Sequence, residues 1–184
     1  MRIFYPLLRF FSAANKAQAK AGNVKPPESF YSLRATLING HPFSFEELKG
    51  KKIVLVNTAS DCGYTPQYGS LQKLADKYPN LRVLAFPSND FKNQETGTDE
   101  EIAEFCKINY GLTIPVFSKS VVRKTENQST VFAWLTKSAL NGWNNDEPSW
   151  NFNKYLVNEE GELVSIFSHT VDPLSKKIKD AIES

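Results

Sequence analysis

The sequence is poor in the residues that build metal sites and disulfide frameworks. Its 184 residues include only two cysteines, two histidines and one methionine. Two cysteines form at most one disulfide bond, which is too few for the framework of a small secreted domain. Because there is no Cys/His cluster, a zinc site would have almost no ligands, and we expect no metal and no cofactor. The two cysteines, Cys62 and Cys106, are therefore available as individual reactive groups or as one disulfide bond.

An excess of one charge and long hydrophobic runs are also lacking. Lys and Arg number 22 against 20 Asp and Glu, and the net charge of +2 is too small to indicate nucleic acid as a partner. No apolar run approaches the ~20 residues that a transmembrane helix requires. The length and the hydrophobic content of 41% suffice for one well-buried domain and are short for two.

Residues 1–27 differ from the rest of the chain because they contain basic residues and no acidic one. We therefore divide the chain into a basic N-terminal arm or targeting segment, residues 1–27, and one domain, residues 28–184. Arg9 interrupts the apolar stretch that a secretory signal needs, although residues 17–19 resemble a cleavage site. A transit peptide fits the acid-free composition, and so does a retained arm on a membrane surface. We predict a cytoplasmic protein, with organellar, exported and membrane-surface locations left open.

Apolar periodicity and turn signals predict strands that alternate with helices. Continuous apolar runs predict buried strands at 53–56 and 81–86, and Asn39-Gly40 is a strong hairpin signal. Thr98 and Glu101 match a capping box, which indicates a helix that ends near Gly111. The other predicted strands lie at 30–38, 155–157 and 163–167. A short helix is predicted at 44–50, and longer helices are predicted at 65–78, 131–140 and 172–182. This order indicates an α/β fold with a central mixed β-sheet flanked by helices.

Cys62 lies between the end of a predicted buried strand and the start of a predicted helix. Ligands of open α/β sheets bind at the carboxyl ends of strands, and the positive end of a helix dipole favours thiolate over thiol. The alternative is a small buried hydrophobic residue, the commonest state of a free cysteine. The turn-like, polar neighbours Asp61, Gly63, Tyr64 and Thr65 favour the functional interpretation.

A thioredoxin-type oxidoreductase places a reactive cysteine in the same kind of turn, but it needs a second cysteine three residues further on. Thr65 occupies that position here, so the dithiol centre is absent. A single thiolate without a neighbouring partner favours a reaction that oxidises one sulfur and is followed by a distant resolving step.

Three segments stand out: VNTASDCGYTPQY at 56–68, FPSNDFKNQE at 86–95 and WNF at 150–152, which runs into KYLV at 154–157. They resemble the signature blocks of the glutathione peroxidase family, and they occur in that family's order. The resemblance extends from about residue 30 to the last predicted helix. It implies a thioredoxin-like fold and a catalytic set of Cys62, Gln94, Trp150 and Asn151.

The chemistry of this implied set follows from its functional groups. The amides of Gln94 and Asn151 and the indole of Trp150 supply N–H donors that do not titrate. Such donors could stabilise an anionic sulfur and hold a peroxide oxygen in line with it. Each residue also has an ordinary alternative role. Gln94 would be a solvated loop residue, Trp150 a core aromatic residue and Asn151 a turn-forming residue. The joint pattern favours the catalytic interpretation.

Cys106 shares an apolar helix face with Ile102 and Phe105, which is consistent with a buried core cysteine. The resemblance implies another role, because this helix looks like the one that carries the resolving cysteine in thioredoxin-dependent members of the family. Another position where the family often has a cysteine is Ser88 here, so it cannot serve. We predict that Cys106 forms a disulfide with Cys62 after oxidation.

These observations predict a thiol peroxidase that reduces hydrogen peroxide or organic hydroperoxides through a sulfenic acid on Cys62. A thioredoxin-like protein is the predicted reductant, since no cationic cluster is clearly placed to bind glutathione. Two alternatives stay open: a glutathione-dependent peroxidase in which Cys106 is structural, and a peroxide sensor that passes oxidation to a partner protein. The segment 140–148 is shorter than the one that supports tetramers in the family, so the resemblance also implies a monomer.

Overall fold

The computed structural model describes residues 17–22 and 24–184. Its strands are β1 Ala17–Ala19, β2 Arg34–Thr36, β3 Pro42–Ser44, β4 Lys52–Thr58, β5 Leu81–Pro87, β6 Lys154–Val157 and β7 Leu163–Phe167. The main sheet has the spatial order β1-β7-β6-β4-β5, and β2 pairs with β3 in a separate hairpin. Strands β4 and β5 are parallel, whereas the other neighbours in the main sheet are antiparallel. The predicted mixed sheet is confirmed.

The helices of the described residues lie on both faces of this sheet. They are α1 Gln67–Lys77, α2 Asp99–Tyr110, α3 Thr130–Thr136, α4 Ser138–Asn141 and α5 Lys176–Glu183. The predicted capping box begins α2: Thr98 Oγ1 accepts the Glu101 N–H at 3.3 Å, and Glu101 Oε2 accepts the Thr98 N–H at 2.8 Å. Gly111 ends the same helix with a φ of 57°, a left-handed conformation that glycine adopts without strain. The start and the end of α2 were therefore predicted correctly from local signals.

Alternate residues of β4 face two apolar cores. Ile53 and Leu55 pack with α3 and with the aromatic residues around the β2–β3 hairpin. Val54 and Val56 pack on the other face with the apolar sides of α1, α2 and α5. This arrangement explains why residues 53–56 are apolar without alternation, because both faces of the strand are buried. The same packing places the carboxyl end of β4 at the edge of the sheet, where the turn that contains Cys62 follows.

Part of the predicted N-terminal arm belongs to the main sheet. Residues 17–19 pair antiparallel with Ser165–Phe167 of β7. Lys20 Nζ then lies 2.6 Å from Glu162 Oε2, and both side chains are largely buried. Residues 1–16 lie outside the described residues, so the interpretation of the arm as a targeting segment stays a prediction.

Several predicted boundaries were wrong for identifiable reasons. Residues 30–32 form a 3₁₀ turn rather than the start of a strand, and Phe30 is buried in the core. The helix predicted at 131–140 is divided at Lys137, where the backbone is extended. The last helix begins after Ser175, whose side chain accepts the Ile178 N–H, and not at residue 172. No helix within 17–22 and 24–184 has the length and apolar character needed to cross a membrane.

Candidate active site

Cys62 lies in the turn between β4 and α1, and its side chain is half-buried. Its Sγ accepts the backbone N–H of Tyr64 at 3.4 Å. Thr65 braces this turn, because its Oγ1 accepts the Cys62 N–H at 3.0 Å and donates to the carbonyl oxygen of Ala59 at 2.9 Å. A backbone N–H directed at the sulfur stabilises negative charge there. The structure therefore holds the half-buried Cys62 side chain in a turn whose backbone is fixed.

The predicted start of the first long helix, at residue 65, was wrong. Helix α1 begins at Gln67, and Pro66 occupies the N-cap position without a side-chain hydrogen bond. The Thr65 hydroxyl is unavailable to the helix because it is engaged with the backbone of the Cys62 turn. The residue thus serves the site rather than the helix.

Gln94 and Asn151 meet beside this turn, although they come from distant loops. Asn151 Nδ2 donates to Gln94 Oε1 at 2.9 Å. The backbone N–H of Asp61 donates to the carbonyl oxygen of Gln94 at 3.0 Å, which ties the Gln94 loop to the residue before Cys62. Asn151 is fully buried, and its Oδ1 has no hydrogen-bond partner among the residues that the structure describes. A buried acceptor of this kind can receive a donor from a ligand.

Trp150 is half-buried, and its ring packs against that of Phe91 with centroids 5.5 Å apart. Its carbonyl oxygen accepts from Asn57 Nδ2 at 2.9 Å, and Asn57 Oδ1 accepts the Asn153 N–H at 3.1 Å. Asn57 is completely buried near the end of β4, so it fixes the turn that carries Trp150. The sequence analysis missed this residue. A polar side chain directly after a run of buried apolar residues was the signal that could have revealed it.

Non-glycine residues in the left-handed region flank both amides. Lys92 and Asn93 precede Gln94 with φ angles of 51° and 53°, and Phe152 follows Asn151 with a φ of 67°. For a bulky residue such as Phe this conformation is unfavourable, and it persists only where surrounding contacts enforce it. Phe152 is fully buried, and its N–H donates to the Asn57 carbonyl oxygen at 2.6 Å. The backbone is thus held under strain where the amides are presented.

A buried carboxyl group adjoins the same turn. Glu95 is almost completely buried, and Ser60 Oγ lies 3.2 Å from its Oε2. Burial raises the pKa of Glu95 to about 6, while the hydrogen bonds from Ser60 oppose the shift. The sequence analysis missed Glu95, because nothing in a polar loop indicates which of its charged residues is buried.

Lys154 begins β6, and its side chain is fully buried. Its Nζ donates to the carbonyl oxygen of Val171 at 2.6 Å and to those of Ser168 and His169 at 3.4 Å. Burial lowers the pKa of Lys154 to about 7. The His169 ring contacts that of Tyr64, with centroids 5.0 Å apart. Lys154 therefore holds the loop that packs against the Cys62 turn, and the sequence analysis missed it as well.

Cys106 is buried in the core between α1, α2 and the sheet. Burial raises the pKa of the Cys106 thiol to about 11, and the charge of Glu95 acts in the same direction. Both cysteines are free, and Cys62 packs from the side against the apolar cluster that contains Cys106. The structure therefore brings Gln94, Trp150 and Asn151 to the edge of the sheet where Cys62 lies and leaves Cys106 in the interior.

Comparisons with known proteins agree with this arrangement. The family model described as glutathione peroxidase matches residues 30–136. The glutathione peroxidase homolog BsaA of Staphylococcus epidermidis is 44% identical over 158 residues, which cover 85% of this chain and 98% of that protein. The glutathione peroxidase-like peroxiredoxin gpx1 of Schizosaccharomyces pombe is 43% identical over 84% of this chain and 97% of its own.

Solved structures share the fold. The crystal structure of Trgpx in its apo form superimposes with a TM-score of 0.65 and 27% identity, covering 86% of this chain and 97% of that one. A thioredoxin-family thiol:disulfide interchange protein from Chlorobium tepidum superimposes with a TM-score of 0.59 at 16% identity, covering 89% and 96%. The predicted thioredoxin-like fold is confirmed.

Proposed function

This chain belongs to the glutathione peroxidase family, and on that basis we propose that Cys62, Gln94, Trp150 and Asn151 form its catalytic set. The chain is a thiol peroxidase by its family membership. The roles of the individual residues are the proposal. The observation that supports them best is the meeting of the Gln94–Asn151 amide pair with the turn that presents Cys62.

In the proposed first step the Cys62 thiolate attacks the terminal oxygen of a hydroperoxide. An S–O bond forms and the O–O bond breaks, so the sulfur is oxidised to sulfenic acid and the peroxide is reduced. The leaving oxygen takes up a proton and departs as water or as an alcohol. The Tyr64 N–H stabilises the thiolate, and the N–H donors of the amides and the indole stabilise charge on the departing oxygen.

In the second step the Cys106 thiol condenses with the sulfenic acid, which forms a disulfide and releases water. The two Cα atoms must then lie within ~7 Å, and the buried Cys106 must become accessible. Local unwinding of α2 supplies both conditions. A dithiol protein of the thioredoxin type would reduce the disulfide by exchange, a reductant in keeping with the relatives named peroxiredoxins.

Three variants test this cycle, with hydrogen peroxide as the oxidant and thioredoxin or glutathione as the donor. Cys62→Ser abolishes turnover with both donors. Cys106→Ser abolishes turnover with thioredoxin, whereas the alternative glutathione-dependent mechanism retains turnover with glutathione in this variant. Ser88→Ala removes a buried hydroxyl directly after β5 and leaves both thiols unchanged, so it serves as the matched control. Full activity of Cys62→Ser would refute the assignment.

A second candidate function is a peroxide sensor that hands its oxidised sulfur to a partner protein. The burial of Cys106 favours this sensor function, because a buried resolving thiol reacts slowly and the sulfenic acid on Cys62 then persists longer. In Cys106→Ser the sulfenic acid would then be captured by a partner as a mixed disulfide, which non-reducing electrophoresis with purified partners detects. A rapid, partner-independent cycle in the unchanged protein contradicts this alternative.

We also propose a monomer and a cytoplasmic location. The short segment 140–148 supports the first proposal, since the family's tetramers use a longer one. Light scattering of the purified protein measures the mass, and a dimer or tetramer at micromolar concentration contradicts the monomer. Fractionation of cells that express the full chain tests the location.

A further inference from the structure

Two adjacent hydrogen bonds join the loop that carries Gln94 to the residues before Cys62. The backbone N–H of Asp61 donates to the carbonyl oxygen of Gln94 at 3.0 Å. One residue away in each segment, Ser60 Oγ donates to Glu95 Oε2 at 3.2 Å. Residues 60–61 are thus fastened to residues 94–95, and Cys62 follows immediately. The first bond joins two backbones, whereas the second depends on the side chains of Ser60 and Glu95.

The main chain of Glu95 is anchored independently of the Cys62 turn. Its N–H donates to Asn89 Oδ1 at 2.9 Å, and its carbonyl oxygen accepts from Lys119 Nζ at 3.3 Å. Lys119 Nζ also donates to the carbonyl oxygen of Gly97 at 2.6 Å, which holds the next part of the loop. Because Glu95 is fixed in this way, its bond to Ser60 transfers a defined position to the turn.

A carboxylate is a costly group to place here. Glu95 is only 1% exposed, and a buried carboxylate requires hydrogen bonds that replace its lost hydration. Ser60 supplies such bonds, since its side chain and its backbone both oppose the rise that burial causes in the pKa of Glu95. The proposed peroxide chemistry uses neither residue, so this contact is left without a role.

We propose that Glu95 is a positioning residue for the peroxidase reaction, whose carboxylate holds Ser60 and thereby sets the Cys62 turn against Gln94. The inference rests on the proposed function, because the alignment matters only if the Cys62 sulfur and the Gln94 amide act together. Glu95 acts through Ser60 and does not contact the peroxide. The ionised form is the one that serves, since protonation turns one of its acceptor oxygens into a donor.

Other ionisable groups face Glu95 from the elements around it. Asp61 of the turn and Glu101 of α2 line the same small cavity, and Lys119 lies on the adjacent loop. Burial raises the pKa of Cys106 to about 11 and that of Tyr68 well above its ordinary value, so neither titrates where Glu95 does, at about 6. A comparison with Glu95→Gln at each pH separates Glu95 from the others, because both proteins retain them.

The test measures the second-order rate constant for oxidation of Cys62 by hydrogen peroxide in the full chain, by quenched flow and mass spectrometry. Glu95→Gln keeps the size of the side chain and removes the carboxylate, whereas Ser60→Ala removes only the hydroxyl. Glu104→Gln makes the same change of charge on an exposed residue of α2 outside the cavity, and it is the matched control. Thermal melting monitors folding.

At about pH 7.5 we expect the rate constant to fall roughly tenfold in Glu95→Gln and in Ser60→Ala, and to stay within about twofold in Glu104→Gln, because a small misplacement of the reacting groups slows the reaction strongly. The variant that combines Ser60→Ala and Glu95→Gln falls no further than either alone, since both changes break the same contact. The ratio of the unchanged protein to Glu95→Gln shrinks as the pH falls through about 6, where the unchanged protein also loses its carboxylate.

A purely structural role lowers the melting temperature and leaves the rate constants unchanged, which overturns the inference. A rate ratio that is independent of pH, or additive losses in the combined variant, overturns it as well. Should Glu95→Gln fail to fold, the rate constant of Ser60→Ala decides. If hydrogen peroxide does not oxidise Cys62 in the unchanged protein, the proposed function itself fails.

Discussion

The buried Lys154 makes the stability of this protein depend on pH in a defined direction. Its ordinary pKa of 10.5 is lowered to about 7 by burial, while the charge of Asp172 opposes the shift. Between these two values the unfolded chain carries a proton on Lys154 that the folded protein lacks. The free energy of unfolding therefore rises with pH across this window, and the cost of burying the charge is fully present below about pH 7.

The magnitude follows from the linkage relation. One pKa unit corresponds to ~1.4 kcal/mol, so a folded pKa near 7 yields about 2 kcal/mol of added stability between about pH 6 and about pH 8.5. The Cys106 thiol does not interfere, because its pKa is raised to about 11 and its opposing effect begins only near its ordinary value of 9.0.

Urea unfolding of the reduced protein at constant ionic strength measures this effect. Lys154→Met keeps most of the side-chain volume and removes the titrating group. The difference between the two pH profiles reports Lys154 together with its effect on His169, whose pKa is lowered by burial and by the charge of Lys154. We expect the unchanged protein to gain about 2 kcal/mol relative to Lys154→Met over this range. Parallel profiles would refute the reasoning. They would mean that the three carbonyl oxygens around Nζ stabilise the ammonium enough to offset its burial.

Three further predictions concern the cysteines and the first strand. Thr98→Ala removes the cap of α2 and lowers the free energy of unfolding by ~1 kcal/mol. Because α2 then unwinds more easily, stopped-flow fluorescence detects faster formation of the Cys62–Cys106 disulfide, and an unchanged rate contradicts the proposed unwinding. Iodoacetamide at neutral pH labels Cys62 in the folded, reduced protein and leaves Cys106 unlabelled until urea is added, as peptide mass mapping shows; equal labelling contradicts the burial of Cys106. A chain that begins at Lys20 melts at least about 2 °C below one that begins at Ala17, because β1 is lost; equal melting temperatures by calorimetry contradict a stabilising role for that strand.

Local signals in the sequence predicted much of the fold. The capping box of α2, its glycine end and the buried runs of β4 and β5 each depend on residues close together in sequence, so the pattern alone identifies them. The strand expected at 30–38 is confirmed only at 34–36, because Phe30 turns into the aromatic core, a preference set by tertiary packing. Strand β1 carries no strand signal of its own, since Ala-Gln-Ala is extended only because the edge of β7 pairs with it.

The candidate site was predicted in part. The resemblance supplied Gln94, Trp150 and Asn151, and the structure gathers them at one edge of the sheet. Asn57 holds the turn that carries Trp150, and Lys154 holds the loop that packs against the Cys62 turn. Both escaped notice because each acts on a segment about 15 to 95 positions away. Sequence spacing carries no information on such long-range contacts, and buried polar side chains resemble surface ones until the fold is known.

The hydrogen bond between Gln94 and Asn151 restricts the orientation of the Gln94 carboxamide. Its oxygen is occupied by the Asn151 amide, so a half-turn of the Gln94 carboxamide would place two NH₂ groups face to face. The nitrogen end therefore remains the one free to meet an electron-rich atom. In the proposed catalytic set, the donor that Gln94 offers to the sulfur thus has an orientation fixed by a residue 57 positions further along the chain.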